Sequence, residues 1–322
     1  MSTFSTPKGL YDRAKKRLKM PASGDGSRLF HARCFEQREG DVHAFLAELA
    51  QEALAARPSA GHAALAQLAS GGKLVRHYTL NVDGLAEAAG MELWRATDGG
   101  GDDQDEQQQQ DGTTVELHGS ARRVVCRACG ARADLTPPLL RDMRAGRPLP
   151  CPSTTSSSCP QGSGRTGILL YDDPAAALIT PAAPTWRLLE RDLEVAAAVV
   201  WAGISFEQSA SVGYFTRVVA GLRAARDRKE EGVSVEAAPA APPNKKPPPP
   251  PRPLPPQVLI NPSEDAMFNL LSGARAGDLG EDVRLVELRM DTDAALPALA
   301  ARLLREGGGG AGGGSDDDKD EG

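Results

Sequence analysis

Aromatic residues are scarce in this sequence: seven Phe, four Tyr and three Trp make up 4% of 322 residues. With 40% apolar residues the chain can still bury a core, but much of its length is not core-forming. Cysteine is also sparse, and five is too few for a disulfide scaffold and leaves one over. No apolar run approaches the roughly 20 residues of a membrane span, and the N-terminus has no apolar core of a secretory signal. An excess of positive charge is missing as well. The net charge is −6, with acidic runs at 102–111 and 316–321, which excludes a general nucleic-acid binder. The expectation is an intracellular protein of the nucleus or cytoplasm, with no membrane and no specific nucleic acid as partner. An organelle stays open, since Asp12 is the sole acid among the first 20 residues.

Gly and Pro, by contrast, are plentiful and concentrated. Residues 99–112 form a Gly, Asp and Gln tract, 226–256 ends in a proline run, and 307–322 is a Gly-rich and Asp-rich tail. All three read as disordered insertions or tails. Between them helices and strands alternate. Asp41–Ala56 sets Val42, Phe45, Leu46, Leu49 and Ala53 at helical spacing. Pro58–Ser70 is a second helix stopped by Gly71 and Gly72, Leu74–Leu80 a strand, and Asp83–Ala89 a helix. Further on, Pro184–Leu193 and Val212–Leu222 are expected helices, Ala196–Ala202, Val258–Asn261 and Leu285–Leu288 strands, and Leu296–Leu304 a closing helix. Short apolar strands alternating with helices imply an α/β fold with a parallel sheet covered on both faces. Ligands then sit beyond the carboxyl ends of the strands, so the polar residues just after each strand matter most.

Four of the cysteines come as two pairs, Cys126 with Cys129 and Cys151 with Cys159. The first pair is a knuckle whose thiolates can converge on a tetrahedral ion. The second is more widely spaced, with small Ser and Thr residues between. Four thiolates close the coordination of zinc, so the expected site is structural. Cys34 stands alone and reads as a small buried hydrophobe.

The polar positions after the strands are Asn81 and Asp83, His118, Gly203 and Ser205, and Asn261. Asp83 could equally cap the helix that follows it. His118 sits where a general base would be presented. Gly203 would let backbone come close to a dinucleotide.

Taken together, these segments resemble the sirtuin family. Pro58 to His62 with Leu65 and Leu68 is similar to its P-x-x-x-H-x-x-L-x-x-L helix. Tyr78-Thr-Leu-Asn-Val-Asp-Gly-Leu85 resembles Y-T-Q-N-I-D-x-L, with Leu80 in place of Gln. Leu117-His-Gly-Ser120 ahead of Cys126 and Cys129 is the most specific likeness. Arg165 to Asp173 resembles R-P-x-V-V-F-F-G-E, with Tyr171-Asp172-Asp173 at its end. Gly203-Ile-Ser205 resembles G-T-S, Leu259-Ile-Asn261 the strand ending in I-N, and Gly9-Leu-Tyr11 the G-L-Y after D-F-R. The family's G-A-G-x-S and D-F-R loop, which cradles the NAD diphosphate, has no counterpart here, so the reading is a truncated or divergent member.

The resemblance implies a Rossmann-like doubly wound parallel sheet with an inserted four-cysteine zinc module. Its organisation would be a helical segment at 1–60, sheet domain at 61–119 and 168–306, and zinc module at 120–167. The implied activity is NAD-dependent removal of acyl groups from protein lysine, giving nicotinamide, O-acyl-ADP-ribose and free lysine. His118, Asn81 and Asp83 would be catalytic, and Asn81, Asp83, Gly203, Ser205 and Asn261 would bind NAD. Ile168, Leu169 and Leu170 would contact the acyl-lysine protein, a histone being one candidate, and Cys126, Cys129, Cys151 and Cys159 would bind one zinc. The competing reading is a zinc-containing relative that binds peptide or partner proteins without turnover.

Overall fold

The computed structural model describes residues 9–17, 19, 25–96, 112–153, 159, 162–234, 252–275 and 279–306. The expected insertion at 99–112 lies outside the described residues except for Gly112, as do 235–251 and the tail from 307. The chain forms two compact units, Met1–Pro58 with Arg76–Leu189, and Ser59–Val75 with Glu190–Gly322.

In the first unit, β1 (His77–Thr79) pairs in parallel with β2 (Thr114–Glu116). Four further strands make an antiparallel sheet: β3 (Gly119–Cys126), β4 (Arg132–Asp134), β5 (Leu149–Pro150) and β6 (Ser163–Ile168), in the order β4-β3-β6-β5. This sheet shares one core with the helix Glu39–Ala55. Phe45, Leu46 and Leu49 of the helix pack in the same buried cluster as Val124, Leu149, Ile168 and Leu170. The Phe30 ring meets Phe45 edge-on at 5.8 Å between centroids. That helix buries residues nearly all round, because its run of Ala and Leu presents apolar surface on more than one face.

The second unit holds β7 (Val199–Ala202), β8 (Gln257–Ile260) and β9 (Leu285–Leu288), all parallel in the order β7-β8-β9. Its two faces are covered differently. Val258 and Ile260 pack with Leu68 of helix Ala60–Ser70 and Leu296 of helix Thr292–Glu306. On the other face Trp201 meets Phe215 of helix Ser209–Ser234 at 5.6 Å, and its indole N–H donates to Gln257 at 3.0 Å. The parallel α/β class expected from the alternation is present, as two parallel sheets of two and three strands.

Two expectations shift. β7 was expected to be a buried strand but is half-exposed, with Val200 at 38% exposure, since β8 is its sole strand partner among the described residues. The helix expected over 212–222 runs from Ser209 to Ser234, so the 226–256 insertion begins later than its composition suggests. Ala, Arg, Lys and Glu after Leu222 are all good helix formers. Arg228 also bonds Glu194 at 2.6 Å, and inside the far end of the tract Leu254 is fully buried.

Candidate functional site

After β1 the chain turns through Leu80 to Gly84 before the short helix Leu85–Ala88. Its bonds are local first. The Asn81 N–H donates to Thr79 Oγ1 at 3.1 Å, and the Leu85 N–H donates to the Asp83 carboxylate at 3.1 Å. This is an Asx turn ahead of the helix, whose N-cap is Gly84 with no side-chain cap bond, so Asp83 does not fill the capping position. Gly84 has φ 63°, a left-handed conformation, and a Cβ there would lie 2.7 Å from Arg122 Cδ.

Long-range bonds then fix the turn against β3. The Ala121 N–H donates to Val82 at 2.8 Å and the Leu117 N–H to Thr79 at 2.9 Å. Arg122 donates Nε–H to the Asp83 carbonyl at 2.6 Å and Nη2–H to the Ala53 carbonyl at 2.7 Å. Sequence alone did not single out Arg122. Its partners are backbone carbonyls far away in the chain, and with Arg123 and Arg127 it gave only slight support to a nucleic-acid-binding reading.

His118 occupies the tight turn between β2 and β3. Gly119 beside it has φ 73°, and a Cβ there would be 2.1 Å from the Gly167 carbonyl oxygen. The imidazole is hydrogen-bonded to the Leu80 backbone carbonyl, and burial lowers its pKa further than that bond raises it. At neutral pH the ring is uncharged. Donating one ring N–H to Leu80 fixes the tautomer, so the other nitrogen carries the lone pair of a base. His118, Asn81 and Asp83 are thus brought together at the carboxyl ends of β1 and β2.

Of the expected substrate segment, Ile168 and Leu170 are 3% and 5% exposed and belong to the core. The Leu169 N–H donates to the His118 carbonyl at 2.9 Å, so this run braces the histidine turn. Flanking it on either side, Arg165 and Asp173 form a buried ion pair, and Asp173 also accepts from the Ala175 N–H at 2.9 Å.

In the second unit Gly203, Ser205 and Asn261 gather at the carboxyl ends of β7 and β8. Gly203 has φ 69°, and its N–H donates to Ile260 at 2.9 Å. The Asn261 amide is spent on this loop, donating to the Ile204 carbonyl at 2.9 Å and accepting from the Ser263 N–H at 2.8 Å. Asn269 donates to the Ser205 carbonyl at 3.1 Å.

The four expected ligand cysteines converge. One sulfur from each of Cys126, Cys129, Cys151 and Cys159 lies within 4.8 Å of the others. Cys126 and Cys159 are 3.7 Å apart, Cys129 and Cys151 3.6 Å. A tetrahedral zinc with bonds of about 2.3 Å puts its sulfurs about 3.8 Å apart, so the set fits the ion. Both of these contacts join one sequence pair to the other. Backbone N–H groups of Ala128 and Ser153 each point at a sulfur at 3.4 Å. Burial opposes ionisation of Cys126, yet the backbone N–H groups of Cys129 and Ala128 and the neighbouring thiols of Cys151 and Cys129 hold it down to about 7. Cys34 stands outside the cluster, half-buried against the core, its pKa raised by burial.

The sequence profile of the Sir2 family matches residues 1–206. NAD-dependent protein deacetylase 2 of Streptomyces coelicolor is 38% identical over 89 residues, 28% of this chain and 30% of that protein. The NAD-dependent protein deacetylase of Bacillus subtilis is 36% identical over 86 residues, 27% of each chain. The chain therefore spans less than a third of the curated relatives it matches. An ADP-ribose complex of a Sir2 homologue superposes over 95% of this chain and 86% of its own, at 19% identity and a TM-score of 0.54. A 2'-O-acetyl ADP-ribose complex gives the same coverage and identity and a TM-score of 0.53. At this identity these likenesses concern the fold.

Proposed function

We propose that this chain, which belongs to the Sir2 family, is an NAD-dependent protein-lysine deacylase releasing nicotinamide, O-acyl-ADP-ribose and free lysine. The observation that carries the reading is His118: an imidazole kept neutral by burial and bonded to the Leu80 carbonyl, just past the strand that pairs with the one leading into Asn81 and Asp83. NAD supplies the glycosidic bond whose cleavage releases nicotinamide. His118 would accept a proton from a ribose hydroxyl, which its neutral state permits. Asn81 and Asp83 would position the ribose and a water. Gly203 and Ser205 would lie against the dinucleotide, with Asn261 shaping their loop through Ile204. The substrate would be an acylated lysine in an extended peptide, a histone tail being one of this class. Ile168 and Leu170 are committed to the core, so the main chain of residues 168–170 would meet the peptide. Cys126, Cys129, Cys151 and Cys159 would hold one structural zinc, and four reduced thiolates suit an intracellular compartment, the nucleus or cytoplasm.

The test is turnover of an acetyl-lysine peptide by the zinc-loaded chain, followed by mass spectrometry of nicotinamide and O-acetyl-ADP-ribose. His118→Ala should lose about 10²-fold or more of the rate. Deacetylation without NAD, or full activity of the His118→Ala protein, would overturn the assignment.

A further inference from the structure

The backbone on both sides of His118 is pinned from elsewhere in the chain. On the near side the Thr180 hydroxyl donates to the Leu117 carbonyl at 3.0 Å, with the Glu116 carbonyl 3.3 Å away. On the far side the Leu169 N–H donates to the His118 carbonyl at 2.9 Å. These two carbonyls belong to the rigid peptide planes that meet at the His118 Cα, so holding both sets the direction of its Cα–Cβ bond. The Leu80 carbonyl then orients the ring. Of the two backbone clamps, only that from Thr180 is made by a side chain.

Thr180 is itself held in place. It follows the short helix Ala176–Ile179, and its N–H donates to the Ala176 carbonyl at 2.9 Å. Ahead of that helix Asp173, paired with the buried Arg165, accepts from the Ala175 N–H at 2.9 Å. At its end Arg132 of β4 donates to the Leu178 carbonyl at 2.6 Å and the Ile179 carbonyl at 3.2 Å, serving carbonyls that a helix end leaves free. Ile179 is 5% exposed and presses on the histidine turn: a Cβ at Gly119 would lie 2.6 Å from its Cγ2. A β-branched hydroxyl on so fixed a segment has little rotamer freedom left to lose when it bonds Leu117.

We propose that Thr180 is a positioning residue for His118, holding the Leu117–His118 peptide so that the imidazole meets a ribose hydroxyl in the orientation proton transfer needs. That role rests on the deacylase reading, whereas the clamp itself can be read without turnover. A general base must lie within hydrogen-bond reach of its proton, and a displacement of about 1 Å can cost about 10²-fold in rate. Loss of one clamp of the two should therefore cost about tenfold. Thr180 belongs to neither the NAD-binding set nor the peptide-binding run, so binding of both should be spared.

Thr180→Val keeps the side-chain shape without the hydroxyl, and Thr180→Ser keeps the hydroxyl. With an acetyl-lysine peptide, kcat of the valine protein should fall about tenfold, with KM for NAD and peptide within about twofold of the parent. The serine protein should recover about half of the parent rate or more. The second readout needs no turnover: the ring proton that His118 donates to Leu80, assigned by its absence in His118→Ala. It should give a slowly exchanging NMR signal in the parent and serine proteins, and a broadened or absent one in the valine protein. A signal unchanged in the valine protein overturns the assignment, as does a kcat unchanged where the parent is active. An equal loss in the serine protein overturns it too, since packing of the methyl would then carry the effect. A parent without NAD-dependent turnover, but with the expected change in the ring signal, would sink the deacylase reading and leave Thr180 as the clamp on His118.

Discussion

Arg122 donates its Nε–H to the backbone carbonyl of Asp83 at 2.6 Å. The same guanidinium bonds the Ala53 carbonyl, so one side chain of β3 ties the Asn81–Asp83 turn to the helix Glu39–Ala55. Lysine cannot reproduce a fork that serves two carbonyls. Arg122→Lys should cost about 1.5–3 kcal/mol, the worth of a hydrogen bond to a charged group. Thermal unfolding measures that loss, and hydrogen exchange at Asp83 and Gly84 should quicken. Unchanged protection there would mean that the Ala121 to Val82 bond suffices to hold the turn.

The cysteine cluster makes a sharper prediction at a residue that is not a ligand. A Cβ at Gly162 would lie 2.3 Å from Cys159 Sγ and 2.7 Å from Cys126 Sγ. Gly162→Ala should therefore push a ligand out of place and weaken zinc binding, as Cys126→Ser should by removing one. One zinc per chain is expected for the unaltered protein, and Cys34→Ser should retain it. Metal analysis beside thermal unfolding checks the set. Zinc loss in the Cys34→Ser protein would show that a different group of thiols binds the ion.

What the sequence made legible was local or periodic. The expected strand at Leu285–Leu288 matches β9, and helix Asp41–Ala56 is displaced by one or two residues. The four cysteines meet because a C-x-x-C knuckle has few other uses. Ionic and hydrogen-bonded braces were illegible because their partners lie far apart. Arg122 answers carbonyls at Asp83 and Ala53. Nothing in the apolar run 168–170 revealed that Ile168 and Leu170 would turn into a core formed with a distant helix. Glu116 escaped notice for a related reason: a carboxylate at a strand end looks solvated in the sequence, and its burial is set only by the fold.

Asp172 has φ 55°, in the left-handed region, and its carboxylate bonds His31 at 2.9 Å. That carboxylate is 82% exposed, and exposed pairs of this kind contribute little. Glycine adopts the conformation without steric cost. Asp172→Gly should thus raise stability by up to about 1 kcal/mol, whereas Asp172→Val should lower it by more. Paired melting curves read both directions. A glycine variant less stable than the parent would show that the His31 contact outweighs the backbone strain.

Glu116 makes a prediction about pH. Burial raises the folded-state pKa of Glu116 from 4.5 to about 7. In the unfolded chain the same carboxyl ionises near its ordinary value. Between about pH 4.5 and 7 the unfolded state has released a proton that the folded state retains, so raising the pH favours unfolding. The stability cost of Glu116 is therefore absent at the acid end, grows through that window and is complete above pH 7. A shift of this size corresponds to roughly 3 kcal/mol at most. Glutamine keeps the shape and cannot ionise, so Glu116→Gln should match the parent near pH 4.5 and exceed its stability at pH 8 by about 1–3 kcal/mol. The difference between the two proteins cancels the titration of groups they share. Denaturant unfolding at a series of pH values, in buffers free of carboxylate, gives that difference directly. A gap that is constant with pH would mean that Glu116 ionises normally in the folded protein, and a gap that widens toward acid would reverse the sign of its environment.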